Sequence, residues 1–181
     1  HFESVQDNPY LADFYKDMAR WSFPLQVYFL NHRFNTHKNI EVGQGSAIQD
    51  RSIYEDANIF ARAIFEQGDM DKRDYENYCS LYESMIQYLS APTLMIFLKR
   101  SVPKLVERIK MRGRDYEQTI PVDYLTKLNQ YYDDWYDSYD LGKSLVVDTD
   151  DLDFLENEEH FDRLVHKIHD SIDQQEMFFS Y

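Results

Sequence analysis

The sequence predicts an α/β protein whose parallel sheet is flanked by helices. Short apolar runs alternate with longer helical stretches, the order that builds a parallel sheet with crossover helices. The clearest strand is TLMIFL (93–98), a continuous apolar run entered through Pro92. Each strand candidate leads towards charged side chains, and strand ends are where open α/β sheets carry ligands.

The elements follow in chain order. Asn8-Pro9 reads as a turn and helix start, because proline is tolerated in the first helical turn. Residues 9–34 read as mostly helical, with Pro24 as a kink or break. Residues 36–45 contain Gly43 and Gly45 and read as a loop. SAIQD (46–50) is a short strand candidate, and residues 53–67 form a helix stopped by Gly68. Asp71 caps a helix to about Ser90, with Tyr75, Tyr78, Tyr82, Met85 and Leu89 at helical spacing. After TLMIFL comes a basic helix over 102–112, then a helix from Pro121 to about Tyr139. SLVVD (144–148) is a further buried strand, and residues 157–175 are a final amphipathic helix. No internal repeat, linker or low-complexity segment divides the chain, so 1–181 reads as one domain.

Composition narrows the partners. The 181 residues carry a formal net charge of −14, which repels nucleic acid and anionic membranes alike. A single cysteine, Cys79, excludes an intrachain disulfide framework and fits a reducing compartment. No apolar run approaches the ~20 residues that span a bilayer. No signal peptide is legible, so the expected location is the cytoplasm. His32, His37, His160, His166 and His169 make no zinc-like grouping with Cys79.

Against the acidic whole, residues 99–114 stand out. KRSVPKLVERIKMRGR holds seven Lys or Arg and one Glu. Lys104, Arg108 and Arg112 recur at helical spacing, and Arg114 follows across Gly113. Such a cation cluster suits a small polyanion such as a nucleoside triphosphate, and equally suits a solvated basic helix with acidic neighbours. The other dense charge group is QDRSIYED (49–56), with Asp50, Arg51, Glu55 and Asp56. A carboxylate beside an arginine at a strand end is a salt bridge, or one part of a site that binds metal and moves a proton.

Three segments occur in a familiar order: FESVQDNPYLADFYKDMARWSFPLQVYFLNHRF, then QDRSIYED, then RIKMRGRDYEQTIP. Together they resemble the deoxyribonucleoside kinase family, most closely its bacterial deoxyadenosine and deoxyguanosine kinases, over nearly the whole chain. The resemblance implies a P-loop kinase-like three-layer fold and transfer of the ATP γ-phosphoryl to a deoxynucleoside 5′-hydroxyl, with Mg²⁺. It assigns Glu3 as the base that takes the 5′-hydroxyl proton, Asp50 as a metal ligand, and Arg51 as the group orienting the 5′-oxygen. Tyr15 and Glu117 match the pair on the sugar 3′-hydroxyl, Gln26 the amide that reads the base edge, and Phe60 the ring that stacks on the base. Arg33 and Asp56 match an arginine–aspartate pair at the base edge of purine-accepting members, which also occurs in deoxycytidine kinases. Arg112 and Arg114 match phosphate-clamping arginines of a LID region at about 108–118, with Arg108 and Lys110 beside them. Asp148 and Asp150 fall in VDTDDLDF, which matches the loop approaching the ATP adenine. Dimers are implied, of identical chains or with a related kinase subunit.

The pattern departs from the family in two respects: Asn8 stands where insect and animal members carry a Trp, and the phosphate loop is not found. A G-x-x-x-x-G-K-[ST] motif is absent from these residues; the resemblance puts it on a first strand roughly 30 residues before the Glu3 position. The expectation is a sheet lacking that strand and a fragment inactive by itself. Two rival readings stay open: a thymidylate-kinase-like monophosphate kinase, and a non-catalytic nucleotide-binding remnant. Glu3, Tyr15, Gln26 and Glu117 suit a neutral acceptor rather than a phosphorylated one.

Overall fold

A computed structural model describes residues 1, 8–114 and 120–176, with side chains to Asp173. They fall into two compact units, His1–Ser90 and Ala91–Tyr181.

The first unit is helical. The Asn8 side chain accepts from the N–H groups of Tyr10 and Leu11, starting α1 (Leu11–Phe14) where Asn8-Pro9 predicts a helix start. Asp17 caps α2 (Met18–Val42) by accepting from Arg20 N–H. The helix runs through Pro24 without a break and on to Val42, replacing the expected loop over 36–42, while Gly43–Gly45 remain non-helical as expected. Pro24 removes one backbone donor, but Ser22, Leu25, Gln26, Leu30, Arg33 and His37 are buried along one stripe. Packing of that stripe outweighs the local cost. The last turns are tethered as well: Lys38 Nζ donates to the Tyr88 carbonyl at 2.8 Å, and Glu41 accepts from Ser90 N–H.

Among the described residues, SAIQD pairs with no strand. Its backbone instead brackets His1: the terminal amine donates to the Ile48 carbonyl at 2.6 Å, and Asp50 N–H donates to the His1 carbonyl at 2.9 Å. That is the spacing of a parallel pairing around one residue.

The predicted 53–67 helix is present but not uniform. Ser52 and Glu55 form a capping box at the start of α3 (Ile53–Glu55), with Ser52 N–H donating to Glu55 Oε2 at 2.8 Å. A π-helical segment, Asp56–Ala61, follows, and α4 (Arg62–Gln67) completes the run. Gly68 ends it at φ +89°, a left-handed geometry that favours glycine. Asp71 caps α5 (Lys72–Ile86) through Asp74 N–H, as its sequence predicts.

The second unit holds the sheet. β1 (Met95–Lys99) and β2 (Ser144–Asp148) pair in parallel, Met95 opposite Ser144 and Lys99 opposite Asp148. Between them lie α6 (Val102–Arg112) and α7 (Val122–Asp137), and α8 (Glu158–Glu176) follows. Phe97 on β1 packs against α7 through Trp135 and Tyr136, at ring separations of 5.1 and 4.7 Å. On the opposite face Ile96 is half-buried and Leu98 is 54% exposed. Lys143 Nζ donates to the Ser171 carbonyl, fixing the entry of β2 to α8. The chain is thus α/β, with a parallel sheet flanked by helices.

Candidate active site

In the first unit, two helical turns of α2 separate Gln26 from Arg33 and place both on its buried stripe. Arg33 Nε lies 2.5 Å from Asp56 Oδ2, and the two side chains are only 4% and 3% exposed. The Arg33 guanidinium also lies 5.6 Å from the Phe29 ring centroid. A charge pair this dry is retained at a cost in desolvation, so stability alone is a weak explanation for it. Gln26 is equally buried, and its Oε1 accepts no hydrogen bond among the described residues. A buried carbonyl oxygen without a donor is costly unless a ligand supplies one.

Asp56 and Phe60 both lie in the π-helical segment, one helical turn apart. Such segments concentrate at functional sites, because the widened turn displaces side chains from the regular helical face. The half-buried Phe60 ring has the Arg51 guanidinium 4.5 Å from its centroid. Arg51 itself holds φ +58°, the one non-glycine residue at positive φ among those described. That geometry costs ~1–3 kcal/mol and persists where surrounding structure enforces it, a pattern found at ligand clamps. Here the Asp50 N–H bond on one side and the Ser52 capping box on the other fix the flanking backbone. The exposed Asp50 carboxylate is a hard oxygen donor on an anchored backbone, which fits Mg²⁺, an ion that takes few protein ligands. Tyr15 follows α1 as an exposed side chain, its ring 5.4 Å from that of Phe14. Glu3 and Glu117 lie outside the described residues.

In the second unit, α6 carries Arg108, Lys110 and Arg112 on its last turns, and Gly113 ends it at φ +68° just before Arg114. The run of seven cations is not one cluster. Lys99 Nζ is 2.6 Å from Asp133 Oδ1, whose carboxylate raises the ammonium pKa, and Lys104 pairs with Glu107 at 3.3 Å. Arg100 turns to the loop after β2, donating to the carbonyls of Thr149 and Leu152 and to Thr149 Oγ1. The remaining cations, from Arg108 to Arg114, sit at the C-terminal end of α6.

Asp148 and Asp150 are both held by backbone. Asp148 Oδ1 accepts from Asp150 N–H at 2.9 Å, and Asp150 Oδ1 accepts from Ser101 N–H at 2.7 Å, which lowers the Asp150 pKa. Thr149 donates both N–H and Oγ1–H to the Lys99 carbonyl at 2.9 Å. Sequence reasoning missed Arg100 and Thr149 as organisers of this loop. The available signal was the position of Arg100 at the end of β1, opposite the residue that follows β2.

A parallel sheet, an arginine-bearing helix after β1 and a buried polar group in the first unit fit a nucleotide-handling α/β enzyme. The comparisons with known proteins are more specific. Residues 1–173 match the family described as deoxynucleoside kinase. The deoxyadenosine/deoxycytidine kinase of Bacillus subtilis is 38% identical over 168 residues, covering 92% of this chain and 77% of that protein. The deoxyguanosine kinase of Lactobacillus acidophilus is 39% identical over 166 residues, covering 87% of this chain and 72% of that protein. A solved deoxyadenosine kinase from M. mycoides, with dCMP and dCDP bound, superposes with a TM-score of 0.79 at 30% identity, over 93% of this chain and 84% of that one.

The chain belongs to the deoxynucleoside kinase family. Its fold is therefore that of the P-loop kinases, and its activity is phosphoryl transfer to a deoxynucleoside. This match favours neither the thymidylate-kinase-like reading nor the non-catalytic remnant.

Proposed function

We propose that this enzyme phosphorylates purine deoxynucleosides, deoxyadenosine and deoxyguanosine, admits deoxycytidine, and takes the γ-phosphoryl from ATP in nucleotide salvage. The observation that carries the substrate reading is the buried Arg33–Asp56 pair, with the unpaired Gln26 carbonyl on the same helix stripe. Gln26 Oε1 calls for a ligand N–H, such as the amino group of adenine or cytosine, and its Nε2 donates to an adjacent ring nitrogen. Arg33 and Asp56 add a donor and an acceptor at the base edge. Phe60 stacks on the base.

The remaining roles follow family likeness. Tyr15 and Glu117 bind the 3′-hydroxyl, which favours deoxynucleosides with that group free. Glu3 takes the 5′-hydroxyl proton, and Arg51 holds the attacking oxygen. Asp50 would hold Mg²⁺, which neutralises phosphate charge when bound. Arg112 and Arg114 clamp the transferring phosphoryl group, with Arg108 and Lys110 adding positive potential within a LID at about 108–118. Asp148 and Asp150 shape the loop facing the donor nucleotide. Residues 1–181 belong to one kinase domain that acts together with its P-loop segment, in a homodimer or with a related subunit, in the cytoplasm.

The test is steady-state phosphorylation of deoxyadenosine, deoxyguanosine, deoxycytidine and thymidine by the full-length protein with ATP and Mg²⁺. Purines are expected to lead. Asp56→Asn is expected to change the deoxyadenosine-to-deoxycytidine ratio of kcat/KM by at least about tenfold, because a site built to hydrogen-bond its ligand discriminates strongly when a partner is lost. Thymidine as preferred substrate, or an unchanged ratio in Asp56→Asn, overturns the substrate reading. Glu3→Gln is expected to abolish turnover of all four, and full activity in that variant overturns the base assignment.

A further inference from the structure

One buried polar atom in the first unit is left unused by the family roles. Tyr78, on α5, is fully buried, and its hydroxyl has no hydrogen-bond partner among the described residues. α5 packs against both α2, which carries Arg33, and the π-helical segment, which carries Asp56. Burial raises the Tyr78 pKa most, the Asp56 charge raises it further, and the Arg33 charge lowers it. Both members of the buried pair are thus within electrostatic reach of this hydroxyl. A phenylalanine would fill the same space without leaving a buried O–H unpaired.

We propose that Tyr78 is a positioning residue: its hydroxyl donates to the Asp56 carboxylate when a base occupies the site, holding that carboxylate in the orientation that selects the base. This rests on the reading of Asp56 as a base-edge residue. Asp56 is held by Arg33. A base that draws on the Arg33–Asp56 pair redistributes those bonds, and Tyr78 is the buried donor in reserve. The hydroxyl is then a group whose folding cost is offset by binding, as at other strained or under-satisfied functional positions.

Tyr78→Phe in the full-length enzyme separates the possibilities. Equal or higher resistance to denaturant is expected, because the substitution removes an unpaired buried polar group. The KM for deoxyadenosine is expected to rise at least about fivefold, with kcat and the KM for ATP within about twofold of the parent. In an Asp56→Asn background the same substitution is expected to leave the deoxyadenosine KM unchanged. A Tyr78→Phe enzyme that is less stable, with deoxyadenosine KM unaltered, overturns the proposal and makes Tyr78 a packing residue. If Asp56→Asn shifts substrate preference while Tyr78→Phe does not shift KM, the Tyr78 proposal fails alone. If Asp56→Asn shifts nothing, the base-edge reading fails and takes the Tyr78 proposal with it.

Discussion

Removing one member of the Arg33–Asp56 pair tests how much of the first unit depends on it. In Asp56→Ala the Arg33 guanidinium stays in a site where its side chain is 4% exposed. That burial limits how far water can solvate the guanidinium, which keeps its contact with the Phe29 ring face. Breaking a buried pair in this way costs about 3–5 kcal/mol. For a protein of this size each kcal/mol lowers Tm by roughly 2–4 °C, so the expected drop is roughly 6–20 °C. The double variant Arg33→Met with Asp56→Leu replaces both charges by apolar groups and is expected to recover most of the loss. Urea unfolding followed by circular dichroism, with the slope compared across variants, measures both quantities. A loss below about 1 kcal/mol in Asp56→Ala, or a double variant as unstable as the single one, refutes the claim that loss of the buried ion-pair partner is the cause.

Two further outcomes are expected. Arg51→Gly and Arg51→Ala both lose the contact with Phe60, but only glycine relaxes at φ +58°, so Arg51→Gly is expected to be more stable by about 1 kcal/mol in the same unfolding assay; equal stabilities would show that the backbone is not strained. Glu41 is held at a pKa of about 2, against an ordinary 4.5, first by the Lys38 ammonium and then by Ser90 N–H. Its folded pKa is depressed, so its contribution is complete above about pH 4.5 and is lost as pH falls towards 2. Glu41→Gln is therefore expected to be less stable than the parent at pH 7, with the gap closing over that range in a pH series of melting curves.

Much of the second unit is legible from sequence. β2 occupies SLVVD end to end, and α6 spans 102–112 as expected, because Pro103 in its first turn and Gly113 after its last are unambiguous local signals. α2 is less legible. Pro24 and the Gly43–Gly45 pair are strong local signals, yet a buried stripe from Ser22 to His37 overrides the first, and tethers to Tyr88 and Ser90 extend the helix up to the second. The π-helical segment has no signature in DANIFA, since one added residue in a helical turn answers to packing rather than to propensity. In the site, the resemblance named Gln26, Arg33, Asp56 and Phe60, and the structure adds what a motif does not hold: which of these are dry, and which contacts they make. Tyr78 read as one of a helical row of aromatics, because an unpaired hydroxyl is a property of the surroundings and not of the residue type.

The knot at the ends of β1 and β2 has a mechanical consequence. Lys99, Arg100 and Ser101 follow one another along the chain, and each bonds to the segment after β2: Lys99 to Thr149, Arg100 to Thr149 and Leu152, Ser101 to Asp150. Ser101 is also the residue from which α6 starts. The loop after β2 and the first turn of the arginine-bearing helix therefore share one anchor. Displacing either strains the bonds of the other, so the two segments are mechanically coupled through that anchor.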